Sequence, residues 1–202
     1  AAALAPASTA PGPAAALAVR DILDPLAAGS AASVTVEAHD AHGNRATGYA
    51  GTVRFSSSDA GPATRLPPDY AFSPADGGIH LFAGQVTLTT AGEQVVRAED
   101  RDDPQVSGEQ AGITVEAGEA VVLAVSGIPD PVVSGTASDV EVEARDRWGN
   151  RAPGYRGLVR FATDDPHPGA VVPGDYAFAA ADSGRHRFPG GVVLETAGVR
   201  VV

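Results

Sequence analysis

The chain contains no cysteine and no methionine among its 202 residues. The absence of cysteine excludes disulfide bonds, thiolate metal sites and cysteine nucleophiles. It leaves the cellular compartment open, because many extracellular domains do without disulfides. Lysine is absent as well, so all 14 basic residues are arginine.

Long hydrophobic runs and excess positive charge are also missing. No apolar run approaches the ~18 residues of a membrane-spanning helix, so we expect no membrane insertion. The formal net charge is -11, and a strongly acidic surface repels nucleic acids and anionic membranes. We therefore expect no nucleic-acid partner.

Aromatic residues make up only 5% of the chain, although 44% of it is hydrophobic. This composition is too apolar for a disordered chain and is sufficient for one or two small cores of Val, Leu and Ala. Residues 1–15, AAALAPASTAPGPAA, form a low-complexity segment. They lack the basic start and leucine-rich centre of a signal peptide, so they are predicted to be a linker.

The dominant feature is an internal repeat with an offset of 106 positions. The stretch EAHDAHGNRATGYAGTVRF begins at Glu37, and EARDRWGNRAPGYRGLVRF begins at Glu143. The match runs without gaps from residues 17–96 onto residues 123–202. A unit of this length is too long for a solenoid repeat and suits a complete small domain in tandem.

Each copy shows the two-residue period of β-strands. In SVTVEAH the pattern places Val34, Val36 and Ala38 on one face and Thr35 and Glu37 on the other, which predicts a half-buried strand. Gly, Pro, Asp or Asn interrupts nearly every gap between strands. Further strands are predicted at Val53–Phe55, Tyr70–Phe72, His80–Phe82, Val86–Leu88, Val95–Ala98 and Ile113–Val115.

The two copies also predict which side chains point inward. Arginines of the second copy stand at the positions of Ile79 and Leu81. Charge is tolerated only on a solvated face, so His80 and Phe82, which alternate with these residues, should face the core.

About seven short strands per hundred residues, without a helical period, are typical of an immunoglobulin-like β-sandwich. The sequence thus predicts an all-β protein with two tandem immunoglobulin-like β-sandwich domains, at 16–117 and 118–202. The second copy stops at Val202, before the acidic loop and last strand of the first copy. We expect that sandwich to lack its final strand and to expose a sheet edge, and the chain to be cut from a longer one.

Three stretches, GNRATGYAGTVRFSSSD, LPPDYAFSPADGGIHLF and TAGEQVVRAED, resemble the bacterial immunoglobulin-like tandem repeats of large secreted and surface proteins. Their layout is similar to that of filamin and invasin-type domains, and the resemblance covers about residues 16–202. It implies a spacer, stalk or adhesive role, an extracellular or cell-surface location, and neighbouring domains of the same chain as partners.

The shared Asp-x-x-Gly-Asn motif has two interpretations. Asp bonds its own backbone two residues on, and Gly and Asn tolerate left-handed backbone angles, so the motif predicts a turn. The alternative is a calcium site that adds the carboxylates of the loop AEDRDDPQ, although no EF-hand spacing is present. The residues concerned are Asp40, Gly43, Asn44, Asp146, Gly149 and Asn150, with Glu99, Asp100, Asp102 and Asp103 in the loop.

Trp148 is the only tryptophan, and it lies among arginines in the corresponding turn of the second copy. We expect it to pack on the linker that carries Glu116 and Glu119, with Arg–Glu pairs around it. The alternative is a contact with an external protein or glycan. The arginines are Arg145, Arg147, Arg151 and Arg156.

No residues have the arrangement of a catalytic site or a cofactor site. Lone histidines on an inward face, serines without a base, and aspartates in turns do not make a nucleophile or an acid–base pair. The residues considered are His80, His186, Ser56, Ser57, Ser58, Asp59, Asp164 and Asp165. The sequence therefore predicts a non-enzymatic spacer module without cofactor, with an adhesive or carbohydrate-binding module, stiffened by calcium, as the alternative.

Overall fold

The computed structural model describes residues 9–202, so most of the predicted linker at 1–15 lies outside the described residues. The chain divides into two compact units, the first ending at Glu116 and the second spanning Ala117–Val202. Among the described residues there is no α-helix, and no helix is long and apolar enough to cross a bilayer.

The first unit is a sandwich of two sheets. One sheet has the strand order β1-β3-β6 and the other β2-β8-β7-β4-β5. Only the β2–β8 pairing is parallel, while the other pairings are antiparallel. The strands are β1 (Ala14–Arg20), β2 (Leu26–Ala27), β3 (Ala31–Asp40), β4 (Thr52–Ser57), β5 (Tyr70–Ala71), β6 (Ile79–Thr87), β7 (Gly92–Asp100) and β8 (Ser107–Glu116).

A single core lies between these two sheets, and β3 supplies its centre. Val34, Val36 and Ala38 are fully buried, as their alternation predicts. Glu37, predicted to face water, is only 8% exposed. Two guanidinium groups cover its carboxylate: Arg45 Nε lies 2.8 Å from Oε1 and Arg20 donates to Oε2 at 2.7 Å. These hydrogen bonds lower the pKa of Glu37 against the desolvation that raises it.

One strand, β6, replaces the two strands predicted between His80 and Leu88. Its register with β3 shifts between the pairs Val34–Phe82 and Ala32–Val86, which marks a bulge. Gly84 has a φ of 65° beside this shift. The predicted facing of β6 is confirmed at Phe82, which is buried, and at Leu81, which is 57% exposed. Ile79 and His80 are both half-buried.

The strand β1 begins at Ala14, inside the segment predicted to be a linker. Leu17 and Val19 of β1 are buried in the core. The alanine-rich segment Ala14–Arg20 forms a strand because β3 pairs with it along one edge and β8 packs close to its backbone. Because both partner strands are distant in sequence, the residues near position 14 do not by themselves predict this strand.

The second unit repeats the central part of this architecture with a smaller core. The sheet order is β13-β10-β9, and β11 pairs with β12 in a second, two-stranded sheet. Residues 198–202 align with the start of β7 but are not in a strand. The predicted all-β, immunoglobulin-like fold class is confirmed. The strands are β9 (Val122–Ser126), β10 (Ala137–Arg145), β11 (Leu158–Val159), β12 (Tyr176–Ala177) and β13 (Arg185–Val193), and short 3-10 turns span Pro74–Asp76 and Ala180–Asp182.

Candidate functional site

The first Asp-x-x-Gly-Asn motif forms the turn that leaves β3. Asp40 Oδ1 accepts the backbone N–H groups of His42 and Asn44, each at 2.9 Å. Gly43 takes the left-handed backbone with a φ of 80°, which glycine adopts without strain. Asn44 does not adopt this conformation and contributes its side-chain amide to Asp40 instead.

The second oxygen of Asp40 reaches across to the segment that enters the unit. Asp40 Oδ2 accepts the N–H of Gly12 at 2.9 Å, two residues before β1. The hydrogen bonds from Gly12 and Asn44 hold the pKa of Asp40 well below its usual range, because they stabilise the charged carboxylate. One carboxylate therefore closes a turn and fastens the entering chain to it.

The second copy builds the same fastening with Asp146. Its Oδ1 accepts the N–H groups of Trp148 at 2.8 Å and of Asn150 at 2.9 Å. Its Oδ2 accepts the N–H of Gly118 at 2.9 Å and the side-chain amide of Asn150 at 2.9 Å. Desolvation raises the pKa of Asp146, but the hydrogen bonds from Asn150, Gly118 and Trp148 outweigh it and lower the pKa overall. We call these two carboxylate-centred arrangements the entry locks.

The acidic loop after β7 is also organised by one carboxylate. Asp100 Oδ2 accepts the hydroxyl of buried Tyr49 at 2.6 Å. Its Oδ1 accepts the N–H groups of Asp102 and Asp103 at 2.9 and 3.2 Å. Burial and this bond raise the pKa of Tyr49 far above its ordinary value. Gly51 is required beside this pair, because a Cβ there would overlap the Asp100 carboxylate and the Tyr49 hydroxyl.

These contacts bear on the calcium alternative. The carboxylates of Asp40, Asp100 and Asp146 are directed at N–H and O–H donors of their own turns, whereas a calcium ion needs six to eight oxygen ligands directed at itself. Within residues 9–202, no group of three or more His, Cys, Asp or Glu side chains gathers with the spacing of a metal site. The motif residues thus have the arrangement of turn builders.

The aspartates after β4 and β11, for which the sequence predicted only turns, form a third pair of structural contacts. Asp59 accepts the N–H groups of Thr89 at 2.5 Å and Thr90 at 3.1 Å, which follow β6. Asp165 accepts the N–H groups of Glu195 and Thr196 at 2.7 and 3.0 Å. Each carboxylate joins two segments about thirty residues apart in sequence. The recurrence of an aspartate at the matching positions 59 and 165 was the sequence feature that could have indicated this shared contact.

A Tyr–His–Asp cluster, which was not predicted from the sequence, recurs in both copies. Asp76 Oδ1 accepts the hydroxyl of Tyr70 at 2.9 Å and lies 3.1 Å from His80 Nδ1, while the two rings stack with centroids 4.0 Å apart. Bonds from Ser73 and then Tyr70 hold the pKa of Asp76 below its usual range. The histidine predicted to lie in the core is only half-buried, at the edge of the core.

The second copy repeats this cluster with nearly the same distances. Asp182 Oδ1 lies 3.0 Å from the hydroxyl of Tyr176 and 2.7 Å from His186 Nδ1. The rings of Tyr176 and His186 stack at 3.9 Å. In each copy the aspartate belongs to the 3-10 turn before the strand that carries the histidine. The cluster fastens that turn to the strand, and this structural role accounts for its recurrence in both copies.

Trp148 is half-buried, and Arg147 lies over its ring with Cζ 4.8 Å from the ring centroid. Arg145 pairs with Glu143 of its own strand at 2.8 Å. Arg156 donates to the backbone carbonyl groups of Pro153 and Tyr155. The basic cluster is thus partly occupied by contacts within the second unit. Packing of Trp148 on the linker stays a prediction.

Comparison with known proteins gives structural matches alone. No protein-family profile and no curated protein sequence matches the chain. FdeC, an Escherichia coli adhesin, matches with a TM-score of 0.42 and 18% identity over 85% of this chain and 53% of that chain. Domains 5-6 of the S-layer protein SbsC match with a TM-score of 0.36 and 16% identity over 90% and 97% of the two chains.

Invasin, a bacterial integrin-binding protein, matches with a TM-score of 0.32 and 21% identity over 91% of this chain and 34% of that chain. A β-glucuronidase of Bacteroides uniformis matches at 0.29, over 21% of the enzyme's length. This chain spans about half the length of the matched adhesin. All of these similarities concern the fold.

Proposed function

We propose that the chain is a non-enzymatic structural module, a spacer within a long secreted or cell-surface bacterial protein. The observation that carries this proposal is the pair of entry locks, in which Asp40 and Asp146 bind the N–H groups of Gly12 and Gly118. Asp40 and Asp146, which stand at matching positions of the two copies, thus hold the entering chain in place, and among residues 9–202 no reactive arrangement accompanies them. The surface setting follows from the resemblance to bacterial immunoglobulin-like repeats.

One residue separates the second entry lock from the last strand of the first unit, and on this proposal the lock limits bending between the repeats. β8 ends at Glu116, and Gly118 is already bonded to Asp146. Only Ala117 separates these two points along the chain. A segment this short, fixed at both ends, has few backbone torsions left to vary, whereas a flexible linker samples many separations. A module that carries the next domain at a defined distance needs such a restraint.

Distances between spin labels in the two units test this restraint. Cysteines introduced at the exposed residues Ala50 and Ala179 provide unique labelling sites, because the chain has no cysteine of its own. We expect a narrow distance distribution, which the substitution Asp146→Ala broadens about twofold because Gly118 is released. Pulsed electron–electron double resonance measures both.

Asp40→Ala is the matched control. It removes the equivalent carboxylate from the first unit but leaves Gly118 bonded to Asp146. The distribution should keep its width in this variant. A broad distribution in the unsubstituted chain, or equal broadening by both substitutions, would overturn the spacer proposal.

The adhesive alternative rests on Trp148, whose ring would be the contact for a protein or glycan. We favour packing of Trp148 at the linker, because its backbone N–H is bonded to the carboxylate that holds Gly118. Trp148→Ala should then broaden the same distance distribution, although less than Asp146→Ala does. An unchanged distribution would defeat this assignment and favour an external partner for the ring.

A further inference from the structure

The strand β6 of the first unit leaves part of its backbone without a partner strand. Within residues 9–202, β6 lies at the edge of its sheet and pairs only with β3. The N–H of Ala38 donates to the Gly78 carbonyl at 2.8 Å, and hydrogen-bonded pairs alternate along an antiparallel ladder. The backbone N–H and C=O groups of Ile79, Leu81 and Ala83 therefore point away from β3.

This unpaired stretch has a defined end on each side. Gly78 has a φ of 78° before it, and Gly84 has a φ of 65° at the bulge after it. Beyond the bulge, Thr87 and Arg65 exchange two hydrogen bonds at 2.9 Å, so the edge is covered there. Between these limits, the groups that point away from β3 have no hydrogen-bond partner among the described residues. We call residues 79–83 the open edge.

The side chains of the open edge do not protect it. Proteins block the edges of sheets with charged side chains, with proline or with a covering loop, because free N–H and C=O groups invite another strand to pair. The open edge instead has half-buried Ile79, exposed Leu81 and exposed Ala83. Free backbone groups beside apolar side chains are the features that recognition by strand addition uses.

The second copy has the same ladder but a protected edge. The N–H of Ala144 donates to the Gly184 carbonyl at 2.8 Å, so the matching residues of β13 also point away from their sheet. These residues are Arg185, Arg187 and Pro189, all exposed. Pro189 has no N–H to offer, and the two arginines place charge along the edge. The open edge is thus a property of the first copy's sequence and not of the repeated fold.

We infer that the open edge binds the open edge of a second copy of this chain. The two strands run antiparallel about a twofold axis at Leu81, so that Leu81 exchanges two hydrogen bonds with Leu81 of the second copy. Ile79 of each copy exchanges two with Ala83 of the other. This register pairs all three free N–H groups of each copy. The two three-stranded sheets then form one continuous sheet.

The side chains of the open edge favour a second copy as the partner. A twofold interface must be self-complementary, and here Leu81 meets itself while Ile79 meets Ala83, so no charges of the same sign face each other. Two chains of net charge -11 repel one another, which restricts close approach to uncharged surface. Glu37, which lies opposite Ile79 in the β3–β6 pairing, is already covered by two guanidinium groups.

The same register is unfavourable at the edge of the second unit. It would place Arg187 directly opposite Arg187 of the second copy, and like charges in opposed positions destabilise strand pairing. It would also place Pro189, which cannot donate, opposite Arg185. The pairing is therefore specific to the first unit.

Sedimentation velocity of the full chain, from micromolar to near-millimolar concentration, tests the inference. We expect a reversible monomer–dimer equilibrium that is weak, because so short a contact is smaller than a standard interface. Leu81→Arg and Ala83→Pro introduce the residues that the second copy holds at these positions, so the fold accommodates them. Each should raise the dissociation constant at least about tenfold. Leu158→Arg is the control, because Leu158 is 55% exposed but lies in the second unit.

Disulfide cross-linking tests the register. Opposed residues of a hydrogen-bonded antiparallel pair have Cα atoms about 5.5 Å apart, which a disulfide can span. The chain has no cysteine of its own, so mild oxidation of the Leu81→Cys variant should link two copies, much faster than it links the Leu158→Cys variant. A chain that stays monomeric, a dimer that persists in Leu81→Arg and Ala83→Pro, or equal cross-linking of the two cysteine variants would each overturn the inference.

Discussion

Gly108→Ala lowers the free energy of unfolding of the first unit by about 3 kcal/mol or more, and its melting temperature by roughly 10 °C or more. The added Cβ would overlap the carbonyl oxygen of Leu17. Neither backbone can retreat cheaply, because Leu17 is paired with Ala38 in one sheet and Gly108 with Ala98 in the other. Thermal unfolding followed by circular dichroism measures the loss.

Gly48→Ala is the control for this substitution. A Cβ on Gly48 meets no atom within 4 Å, and its backbone is not left-handed. We expect a change within about 0.5 kcal/mol. Equal melting temperatures for the two variants would show that β1 and β8 do not approach as closely as described.

Phe82→Ala costs the first unit about 3–5 kcal/mol. Phe82 is 2% exposed and lies at the centre of an aromatic group, with ring centroids 4.9 Å from Phe55, 5.3 Å from Tyr70 and 4.7 Å from His80. Truncation removes all of these contacts and leaves a cavity. The only tryptophan, Trp148, belongs to the second unit, so circular dichroism should show the earlier transition while the tryptophan fluorescence transition keeps its midpoint.

Phe188→Ala is the matched variant in the second unit. Phe188 has the same ring neighbours, with centroids 5.0 Å from Phe161 and 5.3 Å from Tyr176, but it is half-buried. Less apolar surface returns to water on truncation, so we expect roughly half the cost of Phe82→Ala. A cost for Phe188→Ala as large as that for Phe82→Ala would contradict the smaller core of the second unit.

Local patterns predicted the parts of the fold that local chemistry decides. The alternation of Val34, Val36 and Ala38 predicted β3 and its buried face. Comparison of the copies predicted the facing of Phe82. The turn after β3 follows from Asp40 and Gly43, because an aspartate side chain reaches the N–H two residues on without help from the rest of the molecule.

Features that depend on residues distant in sequence were not predictable. β1 has an alanine-rich sequence with little strand character, and its burial depends on β8, about ninety residues later. The burial of Glu37 depends on the guanidinium groups of Arg20 and Arg45. The second oxygen of Asp40 binds Gly12, 28 residues earlier. The spacing within the Asp-x-x-Gly-Asn motif predicted the turn. It could not predict the hydrogen bond from Gly12 to Asp40, because Gly12 lies outside the motif.

Thermal unfolding of the chain in calcium and in a calcium chelator distinguishes a structural role of the Asp-x-x-Gly-Asn motif from a metal-binding one. If Asp40, Asp100 and Asp146 act as turn builders whose carboxylates are satisfied by protein donors, the two melting curves should superimpose. A ligand that binds only the folded state raises the melting temperature by an amount that grows with the logarithm of the ratio of its concentration to its dissociation constant. A calcium-dependent rise of several degrees would contradict the account and make the repeated motif a metal site.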